Sequence, residues 1–293
     1  MFSLDGYRAA LANGGVVRRA DRGVLAVSGA DRAAWLQGLL TNDVGSLKDG
    51  DSRYAAYLTP QGRMISDMNV MERGKRILLD VPASLAVSLR DKLDGLIFSE
   101  DVQIADESAT LWVWTVIRTD SLDDIIGETL PSELTALTPV EFDTYEVIRI
   151  ERGVPRFLAD MDEDTIPLEA GIEDRAISFT KGFYVGQEVI VRVTTRGGGR
   201  VARKLVRWVA DASAEIVPLR DAKIVSLEPS TTLRAGPSTS LSAGKDIGRV
   251  TSAAFSPTIN RVVGLGYVHR DFLTPGTEVT VVWNDARLKV VVQ

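Results

Sequence analysis

Apolar residues recur at helical spacing in SGADRAAWLQGLLTNDV, where Trp35, Leu36, Leu39 and Leu40 form one stripe. Ser28, with Asp31 three residues on, reads as the N-cap of that helix in a variant of the capping box. DSRYAAYLTPQGRMISDMNVMERGKRILLDV reads as strand, turn, strand, turn, strand, with TPQGR and ERGK supplying the turn chemistry. PASLAVSLRDKLDGL predicts a helix with Pro82 near its first turn and Gly95 near its end. IFSEDVQIAD and ATLWVWTVI carry strand patterns, whereas RTDSLDDIIGETLPSELTALTPVEFDT predicts nothing except a strand or helix start near Glu141.

After the glycine run RGGGR at 196–200 the texture changes. VARKLVRWVA, AKIVSLE, IGRVTSAAF, RVVGLGYV, EVTVVW and RLKVVVQ are short β-type runs separated by Gly, Pro, Asn or Asp. That spacing predicts an all-β sandwich or barrel over 201–293. The mixture of short strands and helices before it predicts an α+β region over 1–200, not a doubly wound sheet. The domain boundary is expected near residue 200.

Composition removes whole classes of chemistry. The 293 residues include no cysteine and one histidine, His269. Thiolate nucleophiles, disulfides, Cys-ligated zinc and Cys-held iron–sulfur clusters are therefore excluded, and one histidine cannot build a multi-histidine metal site. No metal is expected. Chemistry is left to carboxylates, Arg, Lys, Tyr and backbone groups. The formal charge of −6 argues against wholesale nucleic-acid binding. MFSLDGYRAALANGG has no basic n-region and no unbroken apolar stretch, and no segment approaches the ~18 apolar residues of a membrane span. A soluble cytoplasmic protein without a membrane partner is expected.

Several positions carry candidate chemistry. Asp43 follows the first predicted helix, where a carboxylate faces the negative end of the helix dipole; uncompensated, this costs a few tenths to ~1 kcal/mol. It is either a turn residue or a carboxylate aimed at a ligand nitrogen. Arg149 and Glu151 alternate in RIERGVPRF and would share one face of a strand, as a ligand wall or as a polar surface. In KGFYVGQEVIVRV, Glu188 and Arg192 pair one turn apart if a helix begins at the glycine, although β-branched residues keep a strand open. From Val189 to Ala210 there is no acidic residue, while Arg192, Arg196, Arg200, Arg203, Lys204 and Arg207 all occur. This run could receive an anionic tail, a phosphate or RNA, or be a solvated strand face. DMDEDT at 160–165 lacks EF-hand spacing and reads as a solvated acidic loop. P-loop, GxGxxG and GxSxG patterns are absent.

Three blocks in this order resemble the glycine-cleavage T-protein superfamily, and specifically its YgfZ-type folate-binding branch. They are WLQGLLTNDV with YAAYLTPQGRMISD, RIERGVPRF with IPLEAGIEDRAISFTKGFYVGQE, and IGRVTSAAFSP with GLGYV. The KGxYxGQE signature in the second block is the most specific. The resemblance implies a ring-like, multi-domain α+β body, with 1–200 in two subdomains and a β-barrel at 201–293. It implies binding of tetrahydrofolate or a one-carbon derivative, and support of iron–sulfur client proteins by assembly or repair. By motif position Asp43 would meet the pterin and carry any one-carbon catalysis. Lys181, Tyr184, Gln187, Glu188 and Arg192 would form the signature wall, and Arg149 and Glu151 the wall adjoining it.

Two departures qualify the resemblance. Phe183 occupies the slot of the branch's cysteine, so a thiol step is excluded; Phe183 either keeps the ligand-binding shape or fills a pocket. The Thr-Gly-Glu-x-Gly-x-Glu segment of true aminomethyltransferases is missing, which places glycine-cleavage activity second. A folate nonetheless suits these residue types. A carboxylate such as Asp43 or Glu188 can accept from the pterin 2-amino/N3–H edge, Tyr184 or Phe183 can face its ring, and the basic run can take its anionic tail. A folate-free RNA- or protein-binding factor is the third reading.

Overall fold

The computed structural model describes residues 2–196, 198–211, 216–227 and 244–293. The chain divides into two compact units, Met1–Glu146 with Met161–Gly199, and Val147–Asp160 with Arg200–Gln293.

The first unit opens with α1 (Leu4–Asn13), β1 (Gly15–Arg18), β2 (Arg22–Ser28) and α2 (Arg32–Leu39). The predicted meander follows as β3 (Ser52–Leu58), β4 (Met64–Arg73) and β5 (Arg76–Pro82), then α3 (Ala86–Asp94) and β6 (Gln103–Asp106). These strands form a five-stranded sheet in the order β3-β4-β5-β2-β6. β7 (Trp112–Ile117), β8 (Leu122–Gly127) and β9 (Thr138–Pro139) join β1 in a four-stranded sheet, β8-β7-β1-β9.

The period-2 alternation of β2 shows how the layers stack. Leu25 and Val27 face a core with Trp35, Leu36 and Leu40 of the α2 region and Leu89 and Leu93 of α3. Val24 and Ala26 face the other way, against Leu111, Val113 and Ile126 of the β7–β8 hairpin. A strand buried on both faces needs no polar alternation, and VLAV within RGVLAVS has none.

Two local expectations change. Ser28 ends β2, and the N-cap of α2 is Asp31, whose carboxylate accepts from the Asp101 N–H instead of capping its own helix. The unassigned stretch forms β8, β9 and α4 (Phe142–Glu151). Arg149 and Glu151 therefore lie on a helix, where residues two apart point in different directions. α5 (Pro167–Ala170), α6 (Glu173–Ala176) and α7 (Gln187–Val191) complete the helices of the first unit, and a π turn, Arg192–Arg196, continues α7.

In the second unit all six β-type runs are strands: β10 (Arg203–Ala210), β11 (Lys223–Ser226), β12 (Asp246–Ser256), β13 (Arg261–His269), β14 (Glu278–Trp283) and β15 (Ala286–Val292). They close into a barrel, β10-β13-β12-β11-β14-β15, with β10 pairing both β13 and β15. Trp208, Ile224, Val250, Val279 and Val290 fill its interior. Gly264 is required beside the indole, because a Cβ there would stand 2.1 Å from Trp208. Outside the barrel, Ile150 of α4 packs on Val209, Val263 and Leu265.

Candidate functional site

The loop after α2 is held by its own polar side chains and by a cation from far along the chain. Lys181 Nζ donates to the carbonyls of Gln37, Leu40 and Asn42 at 2.7, 2.6 and 2.8 Å. All three ammonium donors are thereby used on carbonyls at the helix C-terminus, where a cation is favoured. Burial pulls the Lys181 pKa down to about 8, and Asp43 opposes that fall. Thr41 and Asn42 anchor the same loop. Thr41 Oγ1 donates to the Ala176 carbonyl at 2.6 Å, and Asn42 Nδ2 donates to the Tyr54 and Arg175 carbonyls, both at 2.8 Å.

Asp43 is the loop's carboxylate. It accepts from Ser46 Oγ at 2.7 Å and from Gln37 Nε2 at 2.8 Å, and Arg53 Nη1 lies 3.7 Å from it. The Ser46 hydrogen bond is the largest cause holding its pKa below the ordinary value; Gln37, Arg53 and Lys181 add to it against a desolvation penalty. Its side chain is 32% exposed. A carboxylate has about four lone-pair sites, so an ionised Asp43 keeps acceptor capacity after its two short hydrogen bonds.

KGFYVGQE forms the loop that brings in Lys181. Tyr184 is buried, its phenol pushed up to about 12 by that burial, and its ring faces the Lys181 ammonium at 5.3 Å. Gly186 adopts φ +85°, and a Cβ there would stand 2.6 Å from the Thr59 carbonyl oxygen. Gly62, at φ +75°, lies under Val189 in the same way. The two glycines let this loop and α7 lie directly on the β3–β4 turn, which accounts for one glycine of the signature in steric terms. Phe183 is 75% exposed, so it fills no pocket of its own unit.

Gln187 is the first residue of α7 and is half-buried. Glu188 and Arg192 form the expected i,i+4 pair at 2.6 Å, exposed on both sides, beside a depression of about 320 Å³ that Val191 and Thr195 also line. Asp43, Lys181 and Tyr184 thus form one cluster and Glu188 with Arg192 another; the described contacts include none that bridges them.

Arg149 and Glu151 belong to the second unit. Arg149 is buried, with Nη1 on Asp160 at 2.5 Å and Nη2 on Ser252 Oγ at 2.8 Å. Thr251 and Ser252 hydroxyls both donate to the other Asp160 oxygen at 2.6 Å. DMDEDT is therefore not wholly solvated, because its first aspartate is this buried partner. The Glu151 carbonyl accepts from Arg207 at 2.5 Å. Arg203 stacks its guanidinium 4.8 Å from the Tyr267 ring, so several members of the basic run are engaged within the protein. His269 lies at the end of β13 beside Asp271.

Pattern reading missed the residues around Asp43, namely Gln37, Ser46 and Arg53, and a polar chain that runs from exposed Arg175 inward to buried Asp67 and Asp80. Arg175 covers the Tyr54 ring at 4.2 Å, Tyr54 Oη donates to Asp67 at 2.9 Å, and Arg22 bridges Asp67 and Asp80. Burial pushes Asp80 up to about 6 against the pull of Arg22. The available signal was charge inside strand patterns, as in MISDMNV. Among the described residues no group of His, Asp or Glu could hold a metal ion, and no helix is long and apolar enough to cross a membrane.

Residues 222–293 match the glycine cleavage T-protein C-terminal barrel domain. An aminomethyltransferase of Rubrobacter xylanophilus is 25% identical over 300 residues, covering 84% of this chain and 73% of that protein. A mitochondrial iron–sulfur cluster assembly factor IBA57 homolog of Mycosarcoma maydis is 28% identical over 221 residues. That match covers 63% of this chain and about half, 54%, of the relative. The crystal structure of glycine cleavage system aminomethyltransferase T from Bartonella henselae superposes with a TM-score of 0.80 at 18% identity. It covers 99% of this chain and 88% of that one, a likeness of fold.

Proposed function

Taking the chain as T-protein-like in its barrel and in its fold, we propose that it binds tetrahydrofolate or a one-carbon derivative and supports the assembly or repair of iron–sulfur proteins. The observation that carries the folate reading is Asp43: ionised, partly exposed, and fixed by a loop whose carbonyls are pinned by Lys181. A pterin presents amino and N–H donors, and a pre-set carboxylate with spare lone pairs is the acceptor they need. The residue types present fit such a ligand. Asp43 would take donors of the pterin, and the exposed Phe183 ring, with no described ring partner, offers a flat apolar face. The iron–sulfur half rests on the likeness to the Mycosarcoma iron–sulfur cluster assembly factor homolog. Because Phe183 stands where the branch carries cysteine, any such support proceeds without a thiol at that position.

Calorimetric titration of the whole chain with tetrahydrofolate and folinic acid tests the first half. Saturable binding, weakened at least about tenfold in Asp43→Asn, is expected; absence of binding overturns the reading. For the second half, cells lacking the chain are expected to lose activity of iron–sulfur enzymes and to regain it with the wild-type protein; unchanged activity in such cells overturns it.

A second reading, an aminomethyltransferase, is favoured by the longer coverage of this chain in the Rubrobacter match, 84% against 63%. Methylene-tetrahydrofolate formation in a reconstituted glycine-cleavage mixture decides between them; its absence leaves the folate-binding reading alone.

A further inference from the structure

A groove of about 550 Å³ lies on the second unit, lined among the described residues by Arg207, Val209, Ile259, Arg261, Val291 and Gln293. Strand alternation explains its surface. Trp208 points into the barrel, so its neighbours Arg207 and Val209 on β10 face outward, and Val291 of β15 stands opposite Val209. Arg207 is half-buried and spends one donor on the Glu151 carbonyl at 2.5 Å. A guanidinium carries five N–H donors, and the remainder have no described protein acceptor. Arg261, at the end of the β12–β13 hairpin, is exposed and has no described side-chain partner. The β10–β13 register sets Arg207 opposite Leu265, four residues along from Arg261, so the two guanidiniums stand at opposite ends of an apolar floor that includes Val209, Val291 and Ile259.

We infer that this groove binds a small organic carboxylate, its head on Arg261 and its apolar body on Val209, Val291 and Ile259, with Arg207 at the far end of the floor. The inference goes beyond the folate reading and does not depend on it. Guanidinium selects the carboxylate because its planar donors match the two oxygens, and the branched aliphatic floor rewards an apolar body over a bare inorganic anion.

The test is a titration of the full chain with benzoate and, separately, with benzyl alcohol, followed by methyl NMR of Val209, Val291 and Ile259. Benzoate is expected to give saturable shifts at these methyls, with benzyl alcohol about tenfold weaker or worse. Arg261→Gln, at an exposed position outside every packed contact described, is expected to keep the spectrum of the fold and to weaken benzoate about tenfold. Arg261→Lys, which keeps the charge and loses the planar donors, should fall between them. Unsaturable or absent shifts with benzoate, equal response to benzyl alcohol, or unchanged affinity in Arg261→Gln would each overturn the inference.

Discussion

Lys181 in the first unit and Arg149 in the second both place a cation near a helix C-terminus, and both tie together stretches distant in sequence. They differ in what satisfies the cation. Arg149 meets a carboxylate of its own, Asp160, whose other oxygen is taken by Thr251 and Ser252. Every charged group there is used up and buried, so the arrangement can hold structure but has nothing left for a ligand. Lys181 is satisfied by three neutral carbonyls, and the nearby Asp43 feels it only as a favourable charge. The cation fixes the loop while the carboxylate keeps its remaining lone pairs. One site consumes its acid and the other conserves it, and only the second could serve chemistry.

The largest expected effect tests the consumed site. Asp160→Ala leaves Arg149 as an uncompensated buried cation, and urea denaturation should show a loss of about 3–5 kcal/mol. Next comes the packing beneath the Asp43 site. Gly186→Ala combines an unfavourable φ with a Cβ 2.6 Å from a carbonyl oxygen, and about 2–3 kcal/mol should be lost in the same measurement. Lys181→Met leaves three carbonyls without their donor, and about 1–2 kcal/mol is expected because the site is only half-buried.

Smaller still is the pH dependence of Asp43. Its folded pKa is lowered, so the unfolded state takes up a proton first as pH falls. Its contribution to stability is complete above the ordinary carboxylate pKa of about 4 and is lost below it as the folded group titrates. In Asp43→Asn that part of the acid limb should flatten in urea denaturation followed against pH. At the bottom, Phe183→Cys should change stability by no more than about 0.5 kcal/mol, since the ring is exposed. A larger loss would mean that the slot has a structural role the exposed ring does not reveal.

Much of the fold was legible because it follows from periodicity. The α2 stripe buried Trp35, Leu36 and Leu40, and the six short runs of the second unit became the six barrel strands. Periodicity failed where partners are remote or faces are both buried. β2 carries no alternation, and Arg149 and Glu151 read as sharing a strand face although they end the helix whose start near Glu141 reads as either helix or strand. The Glu188–Arg192 spacing correctly offered a helix beginning at Gly186. The site was legible only in pieces. Asp43 stood out as a carboxylate past a helix end with no visible compensation, and its compensator lies 139–144 residues from the carbonyls that it binds. No local pattern encodes that pairing, which exists only once β3 and the Ala176–Ser178 segment bring the two loops together.

Under the folate reading, Lys181 would act on the ligand by holding the Asp43 loop in place. A double-mutant cycle measures this most directly: tetrahydrofolate affinity by calorimetry for the wild-type chain, Lys181→Met, Asp43→Asn and the double variant. If the clamp acts through the carboxylate, each single variant weakens binding and the double variant is no weaker than Asp43→Asn alone. Losses that add in full, or a wild-type chain that binds no folate, would rule out that coupling.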